Sequence, residues 1–387
     1  MFFLVAISIL AVMHGYVAWR LIPMLNLSSF ISYFLYSLIF ILSFLPITPI
    51  LFRINNIEGK FIDWFSLFGY TSLGFFTLSF CIFIIKDLFI PITYIINRIF
   101  KIEDIFDESR RSFLKQSLGV GIIGITGTAS AFGYYNARKG PSIIKQDIYL
   151  NNLPPKFENF TIAQISDLHV GPTIKRPYVE DVLNKISQIN PDLIALTGDL
   201  VDGSVEYIRS DFEPIKDMIA NYGTFFVTGN HEYYSGVDQW LDEIDRLGVI
   251  NLINDQKIIS KGDEIISIAG ITDYRAHQIK PSHKSNPFEA IKSVPKKVKK
   301  IMLAHQPNSI YDVHKAGVDL QLSGHTHGGQ FWPFTYPTKF ANAYLAGHYN
   351  HDGTQIYVNR GTGYWGPPLR LGVQSEITLI QLKNNLG

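Results

Sequence analysis

The sequence is poor in cysteine and in charge. Among 387 residues there is one cysteine, Cys81, so intrachain disulfide bonds and cysteine-based zinc sites are excluded. Only 17% of the residues are charged, against roughly a quarter in an average soluble domain, and 47% are hydrophobic. This balance predicts that part of the chain lies in lipid. The net charge of +1 offers no broad attraction to nucleic acid, and we expect no nucleic-acid partner.

The shortage of charge is concentrated in the N-terminal third. Four apolar stretches there are each long enough, at about 1.5 Å per residue, to cross about 30 Å of hydrocarbon. A signal peptide would account for one of them but not for all. We therefore predict a membrane region over residues 1–137 with about four transmembrane helices, at 1–19, 28–52, 64–85 and 118–137. Residues 90–100 are too short to span, and we expect them to lie along the membrane surface.

Basic residues predict the orientation of these helices. Six lysines and arginines lie between Lys86 and Lys115, before the last predicted helix, whereas the other short loops contain few. The positive-inside rule puts this basic loop in the cytoplasm and the chain after Arg138 on the opposite side. In a bacterium, this predicts a multi-pass protein of the inner cell membrane whose soluble part is extracytoplasmic.

The run from Ser109 to Lys115, which contains Arg110 and Arg111, is similar to a twin-arginine export signal. Such signals normally lie at the N-terminus, whereas this run follows three predicted helices. A basic flank of a membrane helix explains the same residues equally well. Both interpretations predict the same topology.

After a predicted linker at residues 138–155, strand-like and helix-like segments alternate to the C-terminus. This alternation predicts an α/β domain over residues 156–387. Polar side chains directly follow several of its apolar runs. Because loops at the carboxyl ends of strands can bring distant residues together, we expect these side chains to form one site. They are Asp167, His169, Asp199, Asn230, His231, His305, His325 and His327.

Some of these motifs are weak when each is taken alone. Asp167 and His169 form a common Asp-X-His pattern, and Gly-Asp at Asp199 is an ordinary turn sequence. Asn230 can offer an amide oxygen to a metal, but an Asx turn with a surface histidine at His231 explains that pair as well.

The histidines near the C-terminal end give the strongest local signal. His325 and His327 are separated by one residue within a glycine-rich run, so their imidazoles can serve different metals. His305 is favoured over the other histidines because it ends the apolar run 301–304. Carboxylate, amide and imidazole ligands together suit manganese, iron or zinc better than calcium.

In this order, the motifs resemble those of the calcineurin-like metallophosphoesterase superfamily, and the closing segment resembles its bacterial membrane-anchored members. The resemblance implies two packed β-sheets flanked by helices and a site for two divalent metal ions. It assigns one metal to Asp167, His169, Asp199 and His327. It assigns the other to Asp199, Asn230, His305 and His325. His231 would lie beside the substrate and donate a proton to the leaving oxygen.

The same resemblance implies hydrolysis of phosphodiesters or phosphomonoesters by a water held between the metals. Protein phosphatases of the superfamily have an arginine where Gly203 stands, which argues against a phosphoprotein substrate. With the predicted topology, the reachable substrates are envelope or lipid phosphoesters. Two alternatives stay open. One is a pyrophosphatase of nucleotide-linked lipid precursors, whose cytoplasmic substrate requires the opposite topology, and the other is a non-catalytic membrane metal-binding protein.

Overall fold

The structure is a computed structural model that describes residues 2–55, 57–100 and 107–385. Contacts divide the chain into two compact units. The first comprises Met1–Tyr135 with Gly366–Leu369, and the second comprises Asn136–Trp365 with Arg370–Gly387.

The first unit is helical. Its helices are α1 (Phe2–Leu21), α2 (Ser29–Leu42), α3 (Thr48–Ile54), α4 (Lys60–Ile99) and α5 (Glu108–Arg138), the last of which extends into the second unit. Among the described residues, three helical segments are long and apolar enough to cross a membrane, namely Leu4–Leu25, Lys60–Thr93 and Glu108–Arg138. Buried side chains such as Val17, Ile39 and Phe83 pack α1, α2 and α4 together.

Two expectations about this unit are corrected by the structure. Residues 28–52 do not form one helix, because α2 ends at Leu42 and α3 begins at Thr48. Pro46 lies between them and Pro49 in the first turn of α3; a proline has no N–H to donate and its ring clashes with the preceding turn of a helix. Residues 90–100 are not a separate segment either, since α4 continues without interruption to Ile99.

The second unit contains two sheets. Its strands are β1 (Ser142–Leu150), β2 (Thr161–Ile165), β3 (Leu193–Leu196), β4 (Thr224–Phe226), β5 (Ile250–Asn251), β6 (Asp255–Lys261), β7 (Glu264–Gly270), β8 (Lys299–Leu303), β9 (Leu320–Ser323), β10 (Gly347–His351), β11 (Thr354–Val358) and β12 (Glu376–Asn384). Within the described residues, the first sheet has the order β1-β12-β2-β3-β4-β5 and the second the order β10-β11-β9-β8-β7-β6.

Helices connect the strands of these sheets. They are α6 (Arg176–Ile189), α7 (Val205–Phe212), α8 (Asn230–Ser235), α9 (Val237–Arg246), α10 (Pro287–Ala290), α11 (Ile310–Lys315) and α12 (Thr335–Ala341). A core between the sheets contains Ile162 and Phe225 from one sheet and Ile268 and Leu303 from the other. Alternate residues of β2 and β3 point away from this core, towards α6 and α9. The expected architecture of two packed sheets flanked by helices is confirmed.

The predicted linker at residues 138–155 is wrong over most of its length. β1 lies inside it and pairs in parallel with β12, from Ser142 opposite Glu376 to Leu150 opposite Asn384. Along β1, Asp147 and Tyr149 are exposed while Ile148 and Leu150 are buried. That alternation is typical of a half-buried strand, so these residues belong to the folded unit.

Parallel pairing positions the site. β2, β3 and β4 are parallel in the first sheet, and β7, β8 and β9 are parallel in the second. The loops after parallel strands leave the same edge of a sheet. The predicted site residues all lie after the carboxyl ends of β2, β3, β4, β8 and β9.

Candidate metal centre

The loop after β2 carries the first two predicted ligands. Asp167 and His169 both adopt left-handed backbone conformations, with φ of 54° and 52°. The loop is fixed against the loop after β3, because the Asp167 N–H donates to the Gly198 carbonyl at 2.9 Å and the His169 N–H to the Asp199 carbonyl at 3.1 Å. The two loops therefore form one rigid layer of backbone.

The loop after β3 brings Asp199 to the middle of the site. Its carboxylate accepts a hydrogen bond from the backbone N–H of His231 at 2.8 Å, and its other oxygen lies 3.0 Å from His305 Nε2. The preceding Gly198 has φ of +87°, and a Cβ there would lie 2.6 Å from the Gly229 nitrogen and 2.8 Å from His305 Nδ1. Only glycine combines that conformation with so close an approach of three loops.

The loop after β4 leads into the short helix α8, which starts at Asn230. The Asn230 Oδ1 atom is buried and has no hydrogen-bond partner among the described residues. A buried amide oxygen without a partner is costly, and Asn230 directly precedes His231 of the site, so a cation is a chemically suitable partner for this oxygen. His231, the next residue, is also buried and lies 4.0 Å by Nε2 from Asp199 Oδ2.

Three histidines come from the second sheet. His305 Nδ1 donates to the Thr197 carbonyl at 2.8 Å, which fixes the ring so that Nε2 points at Asp199. His325 Nδ1 lies 3.2 Å from that same Nε2 atom. His327 Nε2 lies 3.1 Å from His169 Nε2 and 3.4 Å from Asp167 Oδ1.

Three groups of possible ligands lie together among the described residues; one of them is His169, Asp202 and His231, and the other two contain only predicted ligands. Of these two, Asp167, His169 and His327 form one, and Asp199, His305 and His325 form the other. In each group the potential ligand atoms all lie within 4.8 Å of one another. The structure thus brings together every residue that the sequence predicts for the site, and the two groups of predicted ligands match the two expected ligand sets apart from Asn230 and the shared use of Asp199.

The charge states of His325, His327 and Asp199 suit cation binding, whereas His305 carries a proton that a metal would have to displace. Burial opposes protonation of His305, but the carboxylates around it, Asp199 above all, outweigh burial and hold its pKa well above the ordinary value. Burial, reinforced by His305, lowers the pKa of His325 to about 3. Burial and the neighbouring His169 also hold the pKa of His327 well below its ordinary value. Both imidazoles are therefore neutral near pH 7 and can offer a ring nitrogen to a metal. Burial opposes ionisation of Asp199, but the His305 and His231 imidazoles outweigh it and hold its pKa well below its ordinary value.

Asp167 shows why a cation fits this place. It is fully buried, and burial raises the pKa of its carboxyl group. Its two oxygens accept the backbone N–H of His325 at 2.9 and 3.1 Å, an arrangement that suits the ionised form. A divalent cation between Asp167, His169 and His327 would stabilise that ionised form.

Sequence reasoning missed two carboxylates that support the predicted residues. Asp202 is hydrogen-bonded to two imidazoles, His169 Nδ1 at 3.0 Å and His231 Nδ1 at a shorter distance. It therefore orients a predicted ligand and the predicted proton donor together. The only sequence signal is its place three residues after Asp199, and that signal does not reveal either partner.

Glu232 is the second missed carboxylate. It is fully buried and accepts backbone N–H bonds from Gly229 at 2.6 Å, Leu200 at 2.7 Å and Asp199 at 3.0 Å. It thus fastens the loop after β3 to the start of α8. Burial and the nearby Asp199 carboxylate raise the pKa of Glu232 to about 7. Its position directly after His231 is visible in the sequence, but its three donors come from two separate loops.

Two arginines lie behind the site. Arg370 is fully buried and donates to the carbonyls of His327 at 3.1 Å, Arg360 at 2.7 Å and Gly363 at 2.5 Å, which holds the loop around His327 in place. Arg360 is paired with Glu376 at 2.6 Å.

Comparison with known proteins agrees with this geometry. The family model for calcineurin-like phosphoesterases matches residues 160–329, which contain all the predicted ligands. A Helicobacter pylori protein named "uncharacterized metallophosphoesterase" is 34% identical over 98% of this chain and 98% of its own length. The chain belongs to the calcineurin-like phosphoesterase family. It is therefore a metal-dependent phosphoester hydrolase, and the resemblance found in the motifs is confirmed.

Some relatives of this metallophosphoesterase are named as transmembrane proteins. A Danio rerio protein named "transmembrane protein with metallophosphoesterase domain" is 30% identical over 83% of this chain and 74% of its own length. Among solved structures, Haemophilus influenzae NAD nucleotidase is similar over 53% of this chain and 45% of its own, with 17% identity and a TM-score of 0.37. The Danio rerio relative and the apolar helices agree on membrane association of this metallophosphoesterase.

Proposed function

We propose that this protein is a membrane-anchored phosphoesterase that hydrolyses phosphodiesters or phosphomonoesters of the cell envelope with two bound divalent cations. The observation that carries the proposal is the convergence of the two ligand groups, from four loops and both sheets, beside the buried His231. Scattered exposed histidines would support only adventitious metal binding. Buried ligands with fixed ring orientations support a permanent site.

We assign one cation to Asp167, His169, Asp199 and His327, and the other to Asp199, Asn230, His305 and His325. The hydrogen bonds of His169 and His305 through Nδ1 turn Nε2 of each ring towards the other proposed ligands, His327 and Asp199 respectively. The unpaired Oδ1 of Asn230 completes the second set. When bound, the cations would polarise the phosphoryl group and make an attacking water more acidic. Manganese, iron and zinc all suit this ligand set.

The protein's own residues then manage orientation and proton transfer. Asp202 accepts a hydrogen bond from Nδ1 of His231, so Nε2 of that ring faces the site and can hold the proton for the leaving oxygen. The carboxylate of Asp202 stabilises the positive charge on the ring before the transfer. Glu232 and Gly198 keep the Asp199 loop close to His231, which holds the proposed proton donor beside the proposed ligands.

The arrangement of helices in the first unit supports four membrane crossings. Arg20, at the end of α1, forms an ion pair with Asp87 of α4, and the Thr77 hydroxyl of α4 lies 3.7 Å from the sulfur of Met13. Later residues of α1 thus meet later residues of α4, so the two helices run in the same direction. Two parallel helices in a membrane require the chain between them to cross back.

The chain crosses back through α2 and α3. The Phe52 ring lies 6.4 Å from the Phe65 ring of α4, and the Leu45 backbone approaches Gly69. Between Arg20 and Phe52 the chain therefore returns from the level of Asp87 to that of Phe65, about 33 Å along α4 at about 1.5 Å per residue. That length is close to the hydrocarbon thickness. With the basic loop before α5 in the cytoplasm, the catalytic unit would be extracytoplasmic.

Hydrolysis of chromogenic esters by the purified full-length protein tests the proposal. After loading with manganese, we expect turnover of bis-p-nitrophenyl phosphate or p-nitrophenyl phosphate, and loss of that turnover on chelation. The ratio of the two rates gives the preference between diesters and monoesters. Asp199→Ala removes the carboxylate shared by both ligand sets, and Asp238→Ala, at an exposed aspartate of α9, is the matched control. Equal turnover by wild type and Asp199→Ala would refute the proposed function.

A further inference from the structure

An exposed aromatic surface follows the ligand His327 directly. We call residues 331–345 the aromatic lip. Its side chains Trp332, Phe334, Tyr336 and Phe340 are all exposed, and Phe340 is 88% exposed. A monomeric soluble domain rarely leaves a contiguous apolar patch of this kind uncovered. The lip thus indicates a surface that contacts something apolar.

The lip is built onto the metal centre. Gly329, two residues after His327, has φ of +80°, and a Cβ on it would lie 2.4 Å from the Thr335 Cα at the start of α12. The first turn of α12 therefore rests directly on the ligand loop. The lip and the loop that holds His327 are therefore packed against each other.

A second connection joins the lip to the proton donor. Gln330 donates to the Trp365 carbonyl at 3.0 Å and accepts the Trp365 N–H at 2.9 Å. The half-exposed Trp365 ring lies 5.5 Å from the His231 ring. Gln330, which directly precedes the lip, thus positions the Trp365 ring beside His231.

The chemistry of the lip matches a bilayer surface. From residue 330 to residue 351 the sequence contains no aspartate or glutamate, and Lys339 is its one charged residue. Aromatic side chains with a nearby lysine are typical of segments that lie in the headgroup layer of a membrane. Among the lip's side chains is a cavity of about 360 Å³ lined by Trp332, Thr335, Tyr336, Lys339, Phe340 and Leu345. The chain itself carries membrane helices, so a bilayer is always within reach.

We propose that the aromatic lip docks into the headgroup layer of the bilayer, so that the metal centre receives phosphoesters carried by membrane lipids. The inference rests on the proposed function and narrows it from envelope esters in general to lipid-borne ones. In this arrangement Phe340 and Trp332 enter the apolar boundary of the leaflet, and Lys339 stays among the lipid phosphates. The lipid phosphate then approaches His231 and the two ligand groups from the membrane side.

A fluorescent probe at residue 340 tests the docking. The variant Cys81→Ala, Phe340→Cys is labelled with an environment-sensitive dye and placed, as the full chain, in nanodiscs of phosphatidylethanolamine and phosphatidylglycerol. We expect blue-shifted emission that spin-labelled lipids quench. The control is Ile219→Cys in the same background, because Ile219 is also apolar and 80% exposed but lies on the loop entering the amino end of β4, away from the site.

Any result at residue 340 other than blue-shifted, lipid-quenched emission would contradict the proposal that the lip docks into the bilayer. If the dye at residue 340 emits at the wavelength it has in water and spin-labelled lipids do not quench it, the lip is exposed to solvent. A blue shift without quenching shows that a second copy or another protein segment covers it. Quenching as strong at residue 219 as at residue 340 shows contact that is not specific to the lip.

Two substrates with the same leaving group, one in vesicles and one in solution, test whether docking of the lip increases the rate of hydrolysis of lipid-borne esters. Hexadecyl p-nitrophenyl phosphate in vesicles is compared with soluble bis-p-nitrophenyl phosphate, for wild type and for Trp332→Ser, Phe340→Ser. We expect the ratio of the vesicle rate to the soluble rate to fall about tenfold in the double variant, since burying an aromatic side chain shifts an equilibrium by that order. An unchanged ratio refutes the lip's role. Absence of turnover of both substrates by wild type refutes the proposed function instead.

Discussion

At the scale of single residues, the metal centre is defined by backbone conformations that most residues avoid. Five predicted ligands have left-handed φ values between 49° and 70°, namely Asp167, His169, Asp199, His325 and His327. Each such conformation costs about 1 kcal/mol or more for a residue with a Cβ. The cost is tolerated because hydrogen bonds among the loops after β2, β3 and β9 hold every turn in place. Sharp turns at strand ends aim the side chains inward.

Gly198→Ala tests this account of the turns. The added Cβ would collide with Gly229 and His305, so we expect a loss of about 3 kcal/mol or more in stability together with weaker metal binding. Gly248→Ala is the matched control, because Gly248 has a similar φ of +78° but open space around its Cβ position. It should cost only about 1–2 kcal/mol. Thermal unfolding with and without manganese measures both, and equal losses would contradict the role of close loop approach.

Asp202→Asn tests the support given to the two imidazoles. An asparagine side chain has one oxygen, so one of His169 and His231 would face an N–H group and lose its acceptor. We expect a fall in kcat or metal affinity of about 10–100-fold, with the fold intact. Steady-state kinetics and calorimetric metal titration measure the two effects, and Asp238→Asn is the control. Wild-type values for both quantities would show that Asp202 does not position these rings.

The sequence predicted residues that converge in the structure but not the residues that support them. Each proposed ligand follows an apolar run, so strand ends and family order together sufficed to predict them. Asp202, Glu232 and Arg370 act through contacts with atoms from several loops, such as the three backbone donors of Glu232. Contacts of this kind depend on tertiary packing, which spacing along the chain does not specify.

At the scale of elements, strands that contain apolar runs could be predicted from the sequence, whereas a strand that combines polar and apolar residues could not. β2, β3 and β8 are almost wholly buried, and β3 and the second half of β8 are apolar runs in the sequence. β1 has the sequence SIIKQDIYL, in which exposed and buried residues alternate only near its end, so its sequence resembles that of a linker. In the membrane region, composition predicted the apolar stretch at 28–52, whereas its prolines divided it into α2 and α3.

The position of β1 predicts how the catalytic unit can be shortened. A fragment starting at Gly140 retains the whole of β1, whereas one starting at Lys156 exposes the nine paired positions of β12 as a bare edge. We expect the first fragment to be monomeric and cooperatively folded, and the second to aggregate or unfold. Light scattering and circular dichroism distinguish them. Equal stability of the two fragments would show that β1 is dispensable.

At the scale of the whole molecule, the proposal predicts on which side of the membrane the chemistry occurs. A reporter fused after Gly387 should be active outside the cytoplasm, because the basic loop before α5 is retained inside. An alkaline phosphatase fusion, which is active only outside, and a green fluorescent protein fusion, which is bright only inside, give opposite expected signals. Bright green fluorescence with inactive phosphatase would contradict the topology and favour a cytoplasmic substrate, such as a nucleotide-linked lipid precursor.

The most direct test of the central claim is the metal content of the full-length protein. After loading with manganese and removal of free ions, elemental analysis should find two ions per chain in the wild type and in the Asp238→Ala control. Asp199→Ala, which lacks the carboxylate shared by both ligand sets, should retain one ion or none. Two ions in Asp199→Ala, or catalytically active wild-type protein without a transition metal, would contradict the account.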